Sequence, residues 1–320
     1  MNGKCLNNCV LDAHRLRGCA VVTPDVDFRR LRRCARSPVS NCTGLGNIRC
    51  IFGLSNERYP YSGDPMYPNP LKSKLQAGET ILGTSLSAPV PGVAGMIIAT
   101  QPDFIWIDTE HSPFGTESLG AIPVMARQKG VAPMIRVATN DGALIKKAYD
   151  VGAVAVMVPQ VNTKAEAEQA VEYAKYPPLG QRGISPSWPI LAGEDWINVV
   201  KTANDETVLV LQLESQEAYD NLDEIKQVPG IDVILVGPMD LSASVGHTAD
   251  MACKEVQDIM ESVPKRLEGT GIATGTTLGD LGEIKQKLGW GYRFMNVGNA
   301  MGYGTQVLKG HLDELRRGVG

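Results

Sequence analysis

The sequence contains no apolar run approaching the roughly 18 consecutive residues that a membrane-spanning helix needs, so no such helix is predicted. It also lacks an excess of positive charge, because 31 Lys and Arg stand against 35 Asp and Glu, for a formal net charge of −4. This balance predicts no general attraction to nucleic acid or to an anionic membrane surface. With 43% hydrophobic and 21% charged residues, the 320-residue chain has the composition of a globular protein with a substantial core.

Cysteine is scarce outside the N-terminal region. Only Cys253 lies beyond residue 50; the other six are Cys5, Cys9, Cys19, Cys34, Cys42 and Cys50. None of them forms a C-x-x-C pair, and His14 is the only histidine nearby, so the pattern does not favour a zinc or disulfide module.

The N-terminal region is also basic, with ten Lys and Arg against four Asp and Glu in residues 1–60. This leaves an organelle-targeting segment open, although Asp12 and Asp25 interrupt it and no amphipathic helix emerges. We interpret residues 1–70 as an N-terminal extension, disordered or poorly defined, whose Pro-rich end (residues 60–70) leads into a folded domain of residues 71–320. We expect a cytoplasmic protein, and the N-terminal arginines leave a mitochondrial location open.

Short apolar runs recur along residues 71–320, and stretches of helical character separate most of them. The predicted strands are Ile81–Leu86, Phe104–Asp108, Pro133–Val137, Ala153–Val158, Val208–Leu213, Val233–Val236, Ile272–Thr276 and Phe294–Val297. Strands that alternate with helices indicate β/α units around a parallel sheet, and eight units in about 250 residues fit a closed (β/α)8 TIM barrel. An open doubly wound sheet is the alternative, but its first turn would carry G-x-G-x-x-G where this chain has LGTSLS.

One predicted connection is long. Residues 176–204 join the fourth helix to the fifth strand and contain PPLGQRGISPSWP. Connections of this length are often functional, so Arg182, Ser185 and Trp188 are predicted to reach over the barrel mouth.

Polar residues follow five of the apolar runs. They are Asp108, Glu110 and His111 in FIWIDTEH, Arg136 in APMIRV, Gln160 in AVAVMVPQ, Gln212 and Glu214 in VLVLQLE, and Asp240 in IDVILVGPMD. Because the active site of a parallel barrel lies at the C-terminal ends of its strands, these side chains are predicted to line one mouth.

Glu214 and Asp240 end consecutive strands, so their carboxylates should lie close together. Two bare carboxylates repel each other, and a hard divalent cation such as Mg²⁺ or Mn²⁺ would relieve the repulsion. The alternative is that Asp240 merely caps the following helix.

The remaining mouth residues suit acid–base chemistry. His111 near Asp108 is a candidate base, because a carboxylate orients an imidazole and raises its basicity; the alternative is a structural histidine. Arg136 suits a substrate carboxylate or a developing oxyanion, or else is a structural partner for the acids. Gln212 lies on the same strand face as Glu214 and could bind substrate or orient a ligand. Together with a metal, this set suits enolisation of a 2-oxo acid.

Five motifs give the chain a family resemblance. WIDTEHSP, PQVNTKAEAEQAV, YPPLGQRG, LQLES and VGPMDLSASVG, in this order and spacing, resemble the HpcH/HpaI (citrate lyase beta-like) family of class II 2-oxo-acid aldolases. The resemblance covers about residues 72–310. It implies a barrel with a swapped C-terminal helix, a hexamer of three dimers, and reversible cleavage of 4-hydroxy-2-oxo acids to pyruvate and an aldehyde.

The resemblance also implies a role for each matching residue. Glu214 and Asp240 would be ligands of Mg²⁺, Mn²⁺ or Co²⁺, and Gln212 would bind substrate. His111 would be the base, working through metal-bound water, and Arg136 would stabilise the enolate. Asp150, and in a similar way Asp108, would raise the basicity of His111.

Three positions depart from the family pattern or point to one member. Ser85 stands where an aromatic residue is usual, and Met239 stands where a small residue usually precedes the metal aspartate. Trp106 makes the chain similar to macrophomate synthase, a member that decarboxylates oxaloacetate and adds the enolate to a pyrone. We interpret all three as substrate-binding residues. Aldol cleavage is therefore the predicted activity, with oxaloacetate decarboxylation or carbon–carbon synthesis as the alternative and a non-catalytic metabolite-binding barrel as a further one.

Overall fold

The eight predicted strands form a closed parallel barrel in the computed structural model, which describes residues 67–318. They follow one another in chain order, and the last pairs with the first. The strands are β1 (Ile81–Leu86), β2 (Phe104–Asp108), β3 (Ala132–Arg136), β4 (Ala155–Val158), β5 (Val208–Leu213), β6 (Val233–Val236), β7 (Ala273–Thr277) and β8 (Phe294–Asn299). The predicted (β/α)8 barrel is confirmed.

Helices surround the barrel. They are α1 (Leu71–Gln76), α2 (Pro91–Ile98), α3 (Ile122–Arg127), α4 (Gly142–Asp150), α5 (Lys164–Ala174), α6 (Trp188–Ala192), α7 (Trp196–Glu206), α8 (Gln216–Asp220), α9 (Leu222–Ile225), α10 (Pro238–Ser244), α11 (Lys254–Leu267), α12 (Leu281–Trp290) and α13 (Ala300–Gly318). Thr163 caps α5 in a capping box with Glu166, as its sequence predicts. Within residues 67–318, no helix is long and apolar enough to cross a membrane.

The apolar residues of the strands divide between two cores. Strand side chains that point inward, such as Phe104, Met134 and Phe294, fill the barrel, and Leu71 of α1 packs with them. The alternate residues, such as Ile105 and Ile135, face the helices and form the larger core. Because β3, β4, β5 and β6 are buried on both faces, they read as nearly continuous apolar runs in the sequence.

The folded part begins before residue 71. Tyr67 is buried against Trp188, and its hydroxyl pairs with Thr202 of α7. The backbone N–H of Asn69 donates to Glu206 Oε1 at 2.5 Å. The predicted extension therefore contributes its last residues to the domain, and its remainder, residues 1–66, lies outside the described residues, as does the segment on which the mitochondrial alternative depends.

The prediction that Arg182 and Trp188 reach over the mouth is wrong. Arg182 is buried, with its guanidinium 3.7 Å from the ring centre of Tyr176. Trp188 is buried, and the guanidinium carbon of Arg127 lies 3.9 Å from the centre of its indole ring. They line one small cavity with Ala153 and Thr207, which precede β4 and β5, so this cluster lies at the N-terminal end of the barrel. Cation–π stacking and burial explain why the connection folds against the barrel's outside as α6 and α7. Ser185 is an exposed residue of the same connection.

Gly83 provides a test of packing inside the barrel. A Cβ atom at this position would lie 2.3 Å from the ring of Phe104, which itself stacks on Phe294 at a 4.5 Å centroid distance and has no room to move. We expect Gly83→Ala to lower the free energy of unfolding by about 2 kcal/mol or more, measured by chemical denaturation. Gly289→Ala in α12 is the control, because nothing lies within 4 Å of the added Cβ and helix propensity favours alanine. Equal denaturation midpoints for Gly83→Ala and the wild type would contradict the inward packing of Phe104.

Candidate active site

The C-terminal ends of β2, β3, β5 and β6 bring together most of the predicted site residues. Asp108 and Arg136 are neighbours in the β2–β3 register, each the last residue of its strand. Gln212 lies near the end of β5, Glu214 follows this strand, and Asp240 lies in the first turn of α10 after β6. The ends of these four strands therefore place the predicted side chains at one mouth of the barrel.

Arg136 is held by two carboxylates and an amide. Its Nε and Nη2 donate to the two oxygens of Asp108 at 2.9 and 2.6 Å, a bidentate pair. Its Nη1 lies 3.0 Å from Glu110 Oε2 and donates to Gln212 Oε1 at 3.4 Å. Burial acts to raise the pKa of Asp108, but hydrogen bonds and charge from Arg136 outweigh it and hold this pKa below its usual value. The guanidinium is thus fixed and the Asp108 carboxylate stays ionised.

The carboxylate nearest to the His111 imidazole belongs to Glu110. His111 Nε2 lies 3.6 Å from Glu110 Oε2, and its side chain is 62% exposed. Asp108 instead receives the backbone N–H groups of Glu110 and His111, at 3.0 and 3.4 Å. The expectation that Asp108 orients the imidazole is therefore corrected: Asp108 sets the turn that places His111, while its charge serves Arg136.

Glu110 lies at the centre of the acidic cluster, a role that the sequence analysis did not assign to it. Its Oε2 is buried and, despite its proximity to Arg136, has no partner with hydrogen-bond geometry among the described residues. Burial raises its pKa, the charges of Arg136 and His111 partly offset this, and Asp108 and Asp240 raise it further. Glu110 is part of the D-x-E-H motif, and its position directly before His111 in the sequence is the signal that could have indicated this role.

Both oxygens of Glu214 are positioned by its neighbours. Oε1 accepts the backbone N–H of Gln160 at 2.8 Å, and Oε2 accepts Nε2 of Gln212 at 2.8 Å. Gln160 has a φ of +53°, which is uncommon for a residue other than glycine and turns its N–H toward Glu214. Gly237 packs so closely that a Cβ there would lie 2.9 Å from Glu214 Oε2. Gln212 thus orients Glu214, which was one of its two predicted roles.

Asp240 does not cap its helix, which removes the alternative explanation for it. The N-cap of α10 is Gly237, no side chain makes a capping hydrogen bond to this helix, and Asp240 is an exposed residue of its first turn. Burial, with the charges of Asp240 and Glu110, raises the pKa of Glu214 to about 7 against the opposing hydrogen bond from Gln160 and charge of Arg136. The charges of Asp240 and Glu110 thus both act on Glu214, and all three side chains offer only oxygen donors, the ligand type that a hard divalent cation prefers.

The opposite wall of the mouth is polar. Asn296 of β8, which is buried, donates to Ser85 Oγ at 3.0 Å and to Thr277 Oγ1 at 2.9 Å. Met239 lies beside Asp240 with half of its surface exposed. Trp106 lies beneath Arg136, with its ring centre 4.9 Å from the guanidinium carbon, and its indole N–H is buried without a partner in the described part of the chain. Ser85, Met239 and Trp106 therefore keep their predicted substrate-binding role as a hypothesis.

Asp150 is not brought to this mouth. It is the last residue of α4, and its carbonyl accepts the N–H and hydroxyl of Ser187 in the connection that packs at the N-terminal end of the barrel. Its Oδ1 is buried without a hydrogen bond among the described residues, and burial raises its pKa against the opposing charges of Arg182 and Lys146. Within one chain Asp150 does not contact His111, so its predicted role would require a second chain.

Comparisons with known proteins show the family and the fold of this chain. Residues 86–303 match the family model described as HpcH/HpaI aldolase/citrate lyase. The 2-keto-3-deoxy-L-rhamnonate aldolase of Salmonella gallinarum is 38% identical over 235 residues, which cover 72% of this chain and 86% of that protein. A HpcH/HpaI aldolase/citrate lyase family protein from Burkholderia cenocepacia J2315 has a TM-score of 0.72 and 29% identity, over 78% of this chain and 99% of that one. Macrophomate synthase, with a TM-score of 0.68 and 23% identity over 78% of this chain and 89% of that one, shares the fold.

Proposed function

The chain belongs to the HpcH/HpaI aldolase/citrate lyase family, and from this membership we propose that it is a divalent-metal-dependent carbon–carbon lyase that cleaves 4-hydroxy-2-oxo acids reversibly to pyruvate and an aldehyde. The observation that supports the proposal is that the charges of Asp240 and Glu110 both act on the buried Glu214, with the fixed guanidinium of Arg136 3.0 Å from Glu110. Carboxylates alone would repel one another, whereas carboxylates around a cation next to an arginine make a site for a 2-oxo acid and its enolate.

Glu214 and Asp240 are the residues that would hold the cation, and the cation would polarise the 2-oxo group and stabilise negative charge on its oxygen. Gln212 keeps Glu214 in place, since it spans from Glu214 to Arg136. Arg136 provides a fixed positive charge for the oxyanion, because its own position is set by Asp108 and needs no rearrangement during the reaction.

His111 moves the protons. In cleavage it accepts the proton of the C4 hydroxyl as the C3–C4 bond breaks, and the aldehyde leaves. The electron pair of that bond becomes the enolate of pyruvate, which then takes a proton at C3. Glu110 Oε2 lies 3.6 Å from the imidazole Nε2 that carries the proton between these steps. The same groups run the addition in reverse.

The polar wall suits a hydroxylated aldehyde. Ser85, Asn296 and Thr277 bring two hydroxyl groups and an amide to the side of the mouth opposite Arg136. The relatives named as 2-keto-3-deoxy-L-rhamnonate aldolases support a deoxy sugar acid as the substrate class. In this chain Ser85 leaves room where an aromatic side chain is usual in the family, which favours a longer or more polar aldehyde.

A direct assay tests the activity. With Mg²⁺ or Mn²⁺, the purified protein should release pyruvate from 2-oxo-3-deoxy sugar acids, and EDTA should stop the release. Metal restored after EDTA is the control. Release of CO₂ from oxaloacetate, measured in parallel, separates cleavage from decarboxylation, which uses the same enolate. Faster turnover of oxaloacetate than of every hydroxy-oxo acid would overturn the aldolase assignment in favour of decarboxylation.

We expect α13 to pack on a second copy of the chain, as a swapped helix would. None of its residues is buried, and one side of it carries exposed apolar residues, among them Met301, Leu308, Leu312 and Leu315. Light scattering should show an oligomer, with a hexamer as the form implied by the family resemblance. Leu308→Glu with Leu312→Glu should shift the mass downward, whereas Gln306→Glu on the other side of the helix should not. A wild-type monomer at micromolar concentration would contradict this, and would leave Asp150 without a route to His111.

A further inference from the structure

A group of side chains that could hold a metal ion lies outside the mouth. His247, Cys253 and Glu255 each offer one ligand atom, and these atoms all lie within 4.8 Å of one another. The imidazole Nε2 and the Glu255 Oε2 are 3.5 Å apart. We propose that these three side chains bind a zinc ion, at a site separate from the carboxylates that carry the proposed lyase activity.

The loop between α10 and α11 is folded so that the three side chains meet. His247 N–H donates to Ser242 O at 2.8 Å, and Asp250 N–H donates to His247 O at 2.8 Å. Cys253 N–H then donates to Asp250 O at 3.3 Å. Between them Ala249 has a φ of +66°, a conformation that a non-glycine residue rarely adopts. This turn brings the chain back, so that His247 faces the first turn of α11.

Cys253 is well placed to act as a ligand. It is the N-cap residue of α11, a 14-residue helix, and its side chain makes no capping hydrogen bond. It packs partly against the main core, which fixes the sulfur at the base of the cluster. Because the side chain has no capping role, its sulfur is available to bind a metal together with His247 and Glu255.

The ligand types select zinc over the cations expected at the mouth. Sulfur, imidazole nitrogen and one carboxylate oxygen form a donor set of intermediate softness that suits Zn²⁺, whereas Mg²⁺ prefers oxygen ligands alone. Ligand atoms around a tetrahedral zinc ion lie about 3.5 Å apart, so small side-chain rotations would close the observed cluster. Three protein ligands leave the fourth position to water.

Zinc at this position would tie α10 to α11. Asp240 lies in the first turn of α10, and His247 follows three residues after the last turn of the same helix. A cation shared by His247, Cys253 and Glu255 would therefore fix the C-terminal end of α10, the helix whose first turn contains Asp240. Its expected effect is on stability, and the proposed chemistry at the mouth does not depend on it.

Cobalt serves as the spectroscopic probe for this site. Full-length protein is first saturated with Mg²⁺ and then titrated with Co²⁺, and sulfur-to-cobalt charge-transfer absorption is recorded. The absorption of one equivalent should be present in the wild type, absent in Cys253→Ser, and displaced by Zn²⁺. The six N-terminal cysteines contribute equally to both proteins, so the difference between them reports on Cys253 alone.

Two further variants complete the experiment. His247→Ala should weaken Zn²⁺ binding by about a hundredfold, whereas His311→Ala should leave it unchanged. Zn²⁺ should raise the melting temperature of the Mg²⁺-saturated wild type but not of Cys253→Ser. Identical cobalt spectra and zinc affinities for wild type and Cys253→Ser would overturn the proposal and leave His247 and Glu255 as an ordinary ion pair.

A variant of the mouth distinguishes failure of the zinc proposal from failure of the proposed lyase activity. Glu214→Gln should lose metal-dependent pyruvate release and keep the cobalt–thiolate absorption, because its side chain is not part of the cluster. Cys253→Ser should show the reverse. The two proposals can therefore fail independently.

Discussion

Glu214→Gln is expected to abolish Mn²⁺ binding at the mouth and to reduce pyruvate release by about a thousandfold or more. The substitution keeps the shape of the side chain but removes the charge on which the cation depends. Stabilisation of transition-state charge by a metal contributes several kcal/mol, and about 4 kcal/mol corresponds to a thousandfold in rate. Calorimetric titration with Mn²⁺ and a pyruvate assay on the same preparation measure both effects.

Two further variants sharpen this prediction. Asp240→Asn should behave like Glu214→Gln, because the charge of Asp240 acts on Glu214 and both are proposed ligands of the same cation. Glu217→Gln is the matched control, since Glu217 is an exposed carboxylate of α8 three residues further along the chain. Full-strength Mn²⁺ binding by Glu214→Gln would remove this residue from the metal site.

His111→Ala is expected to keep the metal and lose turnover. His111 is not among the carboxylates that would hold the cation, so the affinity for Mn²⁺ should change little. Loss of a general acid–base group costs about a hundredfold to ten-thousandfold in rate, and kcat should fall more than KM changes. Measuring Mn²⁺ affinity and steady-state kinetics on the variant separates these two effects.

Chemical rescue provides the control for His111. Because the His111 side chain is 62% exposed, added imidazole should reach the space that it vacates and restore part of the activity. Rescue distinguishes a missing proton carrier from a distorted mouth. Undiminished turnover in His111→Ala would refute its assignment as the base.

The strands could be predicted from the sequence because their signal is local. Most of them are buried on both faces, so runs such as FIWID and VLVLQL stand out by themselves. The strands β1, β2, β5 and β6 begin and end where predicted. Helix α2 was not predicted, because PGVAGMII has no polar face and carries Pro and Gly. Helices α6 and α7 were missed since their burial depends on Arg127 and Tyr67, which are distant in sequence.

The site residues also divide into those whose positions follow from local sequence and those whose contacts depend on distant parts of the chain. The positions of Arg136, Glu214 and Asp240 at the mouth follow from strand ends alone. The partner of Asp108 does not, because it depends on the β2–β3 register that sets Asp108 beside Arg136. The contribution of Gln160 is made by a backbone N–H at positive φ, which no side-chain motif encodes. Asp150 is the last residue of α4 and lies at the N-terminal end of the barrel, away from the mouth. Only a second chain could restore its predicted role.

The exchange of the C3 protons of pyruvate with solvent tests the proposed chemistry most directly, because it reports enolate formation without any aldehyde. In D₂O, with Mg²⁺ chosen because it does not broaden proton resonances, the methyl signal of pyruvate should decay in the presence of the wild-type protein. It should persist with EDTA and with Glu214→Gln. A methyl signal that persists with the Mg²⁺-loaded wild type, or decays equally fast after EDTA, would contradict a metal-dependent enolate at this mouth.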